Sequence, residues 1–235
     1  MAVRPPQQGG DDPDSLEFGI AALTPYLSEA DLSGAKFHNA DLSGANLTGA
    51  NLSGTRLWGA NFNSAKLTDA NLADADLLGT LFNNADLDGV DLSGRDLSTI
   101  SVADTNLTNV NLSGADFRGA DLFGTDLHDA NLPEVDLSGA DFHGADLRGM
   151  DLSGTDFSGT VLIDTDLSGA NISGADLSGK DLSGTILTGV DLTDVDLTGT
   201  NLSRTDLSGA DLSGVDLSKK DLSGTNLTGA NLIGA

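Results

Sequence analysis

From Ala30 to Ala235 the chain repeats a five-residue unit, as in Ala30-Asp31-Leu32-Ser33-Gly34, and never loses register. No other property of the sequence constrains the fold as tightly. Residues whose numbers end in 2 or 7 are Leu or Phe from Leu32 to Leu232, with Val102 and Ile172 the two departures. Those ending in 0 or 5 are mostly Ala, Thr or Val, those ending in 1 or 6 mostly Asp or Asn, and those ending in 3 or 8 mostly Ser or Thr. Gly dominates the slot ending in 4 or 9.

A period of five excludes a helical stripe, because apolar residues at that spacing rotate around a helix of 3.6 residues per turn and never share a face. Gly in so many units would also cost a helix about 1 kcal/mol each relative to Ala. A short fixed period with one large and one small apolar residue instead predicts a solenoid. In a coil with short sides and a turn at every corner, the large residue and the small residue two before it point inward together. The Asp/Asn and Ser/Thr slots then face water, and Gly serves the corner, where positive φ is tolerated and Asx side chains bond to nearby backbone.

The pattern resembles that of the pentapeptide-repeat family, whose motif reads Ala, Asp or Asn, Leu or Phe, then two variable residues; about forty consecutive units fit it, some nine tenths of the chain. The resemblance implies an all-β fold: a right-handed quadrilateral parallel β-helix with four units to a coil. At ~4.8 Å per coil, about ten coils make a rod on the order of 50 Å long. Residues 1–13, rich in Pro, Gln and Gly, read as a disordered tail. Residues 14–26 read as a short N-terminal capping helix, with Asp14 as N-cap, Glu17 three residues on, Leu16, Ile20 and Leu23 at helical spacing, and Pro25 to stop it. Residues 27–235 form the β-helix.

The formal net charge is −25, and the acids are nearly all Asp, with Glu only at Glu17, Glu29 and Glu134. The acidity therefore arises through the repeat slot. A molecule this negative is not expected to bind nucleic acid or an anionic membrane directly, and prefers basic partners. With no Cys there are no disulfides and no Cys-based metal sites. The start carries no apolar run of the kind a signal peptide needs, and no stretch is long enough to span a membrane, so a cytoplasmic location is expected.

Four units per coil place residues twenty apart in one column. One column holds Asp76, Asp96, Asp116, Asp136, Asp156, Asp176, Asp196 and Asp216, preceded by Lys36 and Arg56. Asp in this slot also serves the turn, but carboxylates stacked ~5 Å apart repel, and Asn would serve without that cost. Asn is used freely in the neighbouring column of Asp31, Asn51, Asn71, Asp91, Asn111 and Asn131. Two apolar departures among the outward Ser/Thr slots, His38-Trp58-Leu78 and Phe123-His143-Ile163, have the form of small interaction patches. Inward slots carry Arg95, Lys180 and Lys220, whose stems are expected to escape at a corner and set their charges beside the Asp columns.

Leu232 and Ile233 stand in the final coil, whose uncapped edge is where pairing with a second copy is expected. The histidines His38, His128 and His143 fall in different columns, so no stacked metal pair forms, and no catalytic triad is evident; neither enzyme activity nor a cofactor is expected. Some members of the family the chain resembles are rods that look like duplex DNA and bind DNA gyrase, inhibiting or protecting it. The resemblance thus implies a DNA mimic acting on a type II topoisomerase or another basic DNA-binding protein. Gyrase-protecting relatives often carry projecting loops and a C-terminal capping helix, and the repeat here runs to Ala235 with neither. A structural or scaffolding rod presenting the two apolar patches is the alternative.

Overall fold

A computed structural model of the chain describes residues 27–130, 132 and 135–235. The tail and the capping helix expected over 1–26 lie outside the described residues. Within them, every bridge is parallel and joins positions twenty apart, from Asp31 with Asn51 to Asp211 with Asn231. Four bridging columns share each twenty residues, so the coil has four sides. Each side contributes a single bridging residue, shorter than an ordinary strand, because the next turn begins one residue later.

The backbone bonds follow from that geometry. Leu32 N–H donates to the Asn51 carbonyl at 2.8 Å, Gly34 N–H to the Ser53 carbonyl at 2.8 Å, and Asn51 N–H back to the Ala30 carbonyl at 2.9 Å. The turn itself is closed by Ala35 N–H donating to the Leu32 carbonyl at 3.1 Å, and the same bond recurs at the corners that follow. Its third residue takes the left-handed φ that selects Gly. Gly159 shows why at close range: φ is 72°, and a Cβ there would come within 3.2 Å of the Gly139 Cα one coil below. Thr99 occupies such a corner and does not adopt positive φ, as expected of a β-branched residue. Its hydroxyl instead accepts the Gly79 N–H at 3.2 Å.

The interior is the stack of large inward residues, with Leu42, Leu47, Leu52 and Leu57 fully buried and the Phe62 and Phe82 rings stacked 5.2 Å apart. Each such side chain contributes about 1.5–3 kcal/mol of burial. The small inward slot accepts Thr because a carbonyl lies within reach of its hydroxyl. Thr105 Oγ1 donates to the Phe82 carbonyl at 2.7 Å, and Thr165 and Thr185 make the same bond to Phe142 and Leu162.

Arg95 and Lys220 use the carbonyl at the same offset, twenty-three residues back, and Lys180 a different one, at a greater cost. Arg95 Nη2 reaches the Leu72 carbonyl at 3.5 Å and Asp74 at 3.9 Å, Lys180 Nζ reaches the Thr160 carbonyl at 3.4 Å, and Lys220 Nζ bonds to the Leu197 carbonyl and, at 3.2 Å, to Thr200 Oγ1. Each side chain reaches back toward the preceding coil, as a stem escaping at a corner must. On both sides of each corner the parallel pairing fails: Asn71 with Asp91 and Asp76 with Asp96 at Arg95, Asp156 with Asp176 and Val161 with Asp181 at Lys180, Asp196 with Asp216 and Asn201 with Asp221 at Lys220. Pairing is absent as well between Asp136 and Asp156 and between Asn171 and Asp191, where the inward residues are Thr155 and Val190, so an open stretch accompanies each inward cation without requiring one. Pairing toward the following coil survives, as in Asp116 N–H to the Arg95 carbonyl at 2.9 Å and Asn201 N–H to the Lys180 carbonyl at 3.0 Å.

Candidate functional site

The four sides are not equivalent, and the side carrying Asp76 to Asp216 is the most strongly charged. Every Asp in the column bends its carboxylate back onto the chain, accepting the N–H two residues on: Asp136 from Ser138 at 3.1 Å, Asp156 from Ser158 at 2.7 Å, Asp176 from Ser178 at 2.9 Å and Asp216 from Ser218 at 2.8 Å. Asn does the same on the Asp31 side, where Asn51 accepts from Ser53 at 3.1 Å. The turn therefore does not choose between the two residues.

What differs is the coil-to-coil contact. On the Asp31 side, Asn51 Nδ2 donates to Asp31 Oδ1 at 3.1 Å, Asn111 to Asp91 at 3.1 Å, Asn171 to Asp151 at 2.9 Å and Asn231 to Asp211 at 3.0 Å. The Asp76 column contains no Asn, and from Asp136 to Asp196 its outward slots hold only Asp with Ser or Thr. Carboxylate then stands over carboxylate with no amide between.

The hydroxyl and N–H of Ser178, Thr198 and Ser218 hold Asp176, Asp196 and Asp216 below the ordinary carboxylate value, with the Lys180 and Lys220 ammoniums adding to the effect. Asp176 pushes Asp196 the other way, as a like charge must. So the two inward lysines do lie close enough to act on this column. Sequence reasoning missed Arg118, which projects from the middle of the same side. Its Nη2 lies 2.5 Å from Asp116 Oδ2 and its Nε 3.8 Å from Asp136 Oδ2, and its bonds to Asp116 are the main cause of that carboxyl's lowered value. It stands in the same outward column as His38, Trp58 and Leu78, where a cation is as much a departure from Ser or Thr as an apolar residue is. Arg148 repeats the arrangement on the opposite side with Asp146 at 2.5 Å and Asp166 at 3.8 Å.

Both apolar columns assemble. His38 and Trp58 stack with centroids 4.8 Å apart and planes 12° off parallel, and Leu78, 59% exposed, continues the column toward the first carboxylates. A cleft of about 330 Å³ opens beside Leu78, lined also by Asp76, Leu77, Gly94, Arg95 and Asp96, at the Arg95 corner where the pairing is missing. On the next side Phe123 and His143 lie 5.3 Å apart and tilted by 34°, with His143 Nε2 3.5 Å from Asp164 Oδ2 and Ile163 half-buried beyond them. Leu81, 37% exposed, and the half-buried Val161 widen this apolar side in slots where Asp or Asn is usual. Where Leu81 and Ser101 remove the Asx acceptor, Asn63 takes the Asn83 N–H at 2.9 Å and Asn83 takes the Ala103 N–H at 3.0 Å, each from one coil below. Leu232 and Ile233 are exposed, Ile233 by 78%.

The twenty-residue parallel register, the corner turns and the stacked interior define a β-helix solenoid built from five-residue units. The chain belongs to the pentapeptide repeat family: the family profile "Pentapeptide repeats (8 copies)" matches residues 26–63, 65–99, 103–139, 140–179, 165–204, 181–214 and 205–235. Membership makes the solenoid a right-handed β-helix. Among solved structures, the chain is similar to HetL, a pentapeptide repeat protein involved in heterocyst differentiation regulation from the cyanobacterium Nostoc sp. strain PCC 7120, at 31% identity over 92% of this chain and 90% of that one, with a TM-score of 0.49. A pentapeptide repeat protein of the Arabidopsis thaliana thylakoid lumen is 31% identical over 54% of this chain and 71% of its own, with a TM-score of 0.32. Full-length QnrB1, a plasmid-mediated fluoroquinolone resistance protein, is 22% identical over 86% of each chain, with a TM-score of 0.26. No curated protein matches the chain.

Proposed function

We propose that the protein is a non-enzymatic acidic rod of about ten coils that binds a basic, DNA-binding protein in place of DNA. The observation that carries this reading is the Asp76 to Asp216 column. It uses Asp where the turn accepts Asn equally well, and it does so without the Asn donors that relieve the Asp31 side. Carboxylates at coil spacing along one side give an extended line of negative charge, and the capture of a cationic groove by such a line is fast, salt-sensitive and selective for charge. DNA gyrase or another type II topoisomerase is the partner class that family resemblance brings forward. Gyrase supercoiling assayed with and without the protein, in the presence and absence of a gyrase inhibitor, tests it. A change in supercoiling or in inhibitor sensitivity is the expected result, and no effect at a large molar excess rules gyrase out as the partner.

The second reading is a scaffolding rod whose apolar columns engage a protein without topoisomerase involvement. It is favoured by the exposure of Phe123, 43%, beside His143 and Ile163. The exposed Leu232 and Ile233 add a surface through which two copies would pair. A monomer in light scattering, or a dimer untouched by Ile233→Glu, removes that element.

A further inference from the structure

A periodic line of carboxylates cannot by itself fix where a partner sits. From Asp136 to Asp196 each coil presents the same group, so sliding a cationic partner by one coil along that stretch exchanges every contact for an identical one. Position must come from a place where the side is not periodic. Arg118 interrupts the middle of the side with a single cation held by Asp116, and the fuller break is the start of the column, where Arg56 bridges to Asp76 and the charge changes sign. Three further departures coincide there. Trp58 and Leu78 stand outward in slots where Ser or Thr is usual, the pairing of Asp76 with Asp96 is missing, and the corner at Arg95 opens into the cleft of about 330 Å³ against Leu78. The Arg95 guanidinium points back at Asp74 and the Leu72 carbonyl, which leaves the Asp76 and Asp96 carboxylates at the rim of the cleft for an incoming cation.

We propose that Trp58, Leu78 and the cleft at Arg95 form the docking site that sets the position of a basic partner on the rod, by taking one large apolar side chain flanked by lysines or arginines. The cleft accepts the apolar anchor against Leu78, Trp58 extends the apolar surface one coil below, and the flanking cations fall on Asp76, Asp96 and the carboxylates beyond. Lys36 and Arg56 repel the same segment if it slides the other way. A short apolar anchor in a pocket ringed by charge is the usual form of an energetic hot spot. This rests on the charge reading of the Asp column but is separable from it.

Trp58 is the single Trp of the chain and reports directly on the site. The full-length protein is titrated with an oligolysine peptide and with the same peptide in which one central lysine is replaced by phenylalanine, following binding by calorimetry and the Trp58 emission in parallel. The phenylalanine peptide carries one charge fewer, yet is expected to bind roughly tenfold tighter and to move the Trp58 emission to shorter wavelength. Leu78→Ser, at an exposed position, and Arg95→Ala, which removes one wall of the cleft, should each abolish that advantage while leaving oligolysine binding unchanged. If oligolysine binds but the phenylalanine peptide binds more weakly and the Trp58 emission is unmoved, the docking site is wrong and the acidic column stands. The docking site also falls if the advantage survives Leu78→Ser and Arg95→Ala. If neither peptide binds, the charge reading fails, and the docking site with it.

Discussion

The Asp31 side and the Asp76 side of the rod use one turn, one set of backbone bonds and the same Asx acceptor, yet they differ in electrostatic character. On the first, the Asn171 amide sits between carboxylates and donates to Asp151 at 2.9 Å; on the second, Asp156, Asp176 and Asp196 follow one another with nothing between them. The comparison separates what the fold requires from what it merely permits. A hydrogen-bond acceptor is required at this slot, and a negative charge is not. Stacked charges that the fold does not need reduce its stability, and the same charges are available to a partner.

Exchange of the two chemistries tests that separation, and the largest effect should be on binding. Replacing Asp136, Asp156, Asp176 and Asp196 together by Asn is expected to weaken capture of a cationic protein by on the order of a hundredfold at low salt. The same treatment of Asp31, Asp91, Asp151 and Asp211 is expected to change it by no more than about threefold. Equal losses from the two sets would show that net charge, and not the Asp76 side, does the binding. Next in size is Lys180→Thr, which supplies the hydroxyl that Thr165 and Thr185 use. It should restore pairing across Asp156–Asp176 and Val161–Asp181, slow amide exchange there and stabilise the fold by about 1 kcal/mol. Unchanged exchange at those amides would mean that the cation is not what opens the corner.

A smaller effect is expected from Asn171→Asp, which gives the Asp31 side a local copy of the Asp76 arrangement. Loss of the amide bond and the new repulsion from Asp151 should lower the thermal midpoint, and Asp156→Asn should act in the opposite direction. Arg118→Ala, smallest of all, removes the cation that covers Asp116 and Asp136 and should tighten binding of a cationic partner about twofold, since an exposed ion pair is weak.

Acid probes both sides at once. Asp31, Asp151, Asp176 and Asp216 are all held below the ordinary carboxylate value by the hydroxyl and N–H two residues on. A folded-state value below the unfolded one contributes stability that is fully present above the unfolded value, and is lost as pH falls through the folded value. Thermal unfolding should therefore be insensitive to pH near neutrality and weaken as pH is lowered from about 4 downward. A midpoint that holds constant through that range would show that the Asx bonds are no stronger to the carboxylate than to the acid.

Much of this was readable in the sequence because the repeat never slips. Leu32 to Leu232 at strict spacing dictate the stacked interior, and grouping residues by twenties yields the Asp76 column and both apolar columns without further information. The open corners were not readable in that way. Arg95, Lys180 and Lys220 stand out as inward oddities, but open stretches also occur at Thr155 and Val190, so whether two coils pair is not set by the inward residue alone. The reassignment at Asn63 and Asn83 was hidden for a related reason. Each side chain satisfies a donor created by a departure elsewhere, at Leu81 and Ser101, so neither residue looks unusual alone.

The unbroken register of twenty also governs how such a chain can change length. Removing or duplicating twenty residues within the stack deletes or adds one coil and returns every downstream side chain to its own side, so the rod can shorten or lengthen with its charged side intact. Removing five turns everything downstream by a quarter: the later carboxylates would then continue the Asp31 column, and the acidic line would be cut in two around the rod without a single Asp being lost.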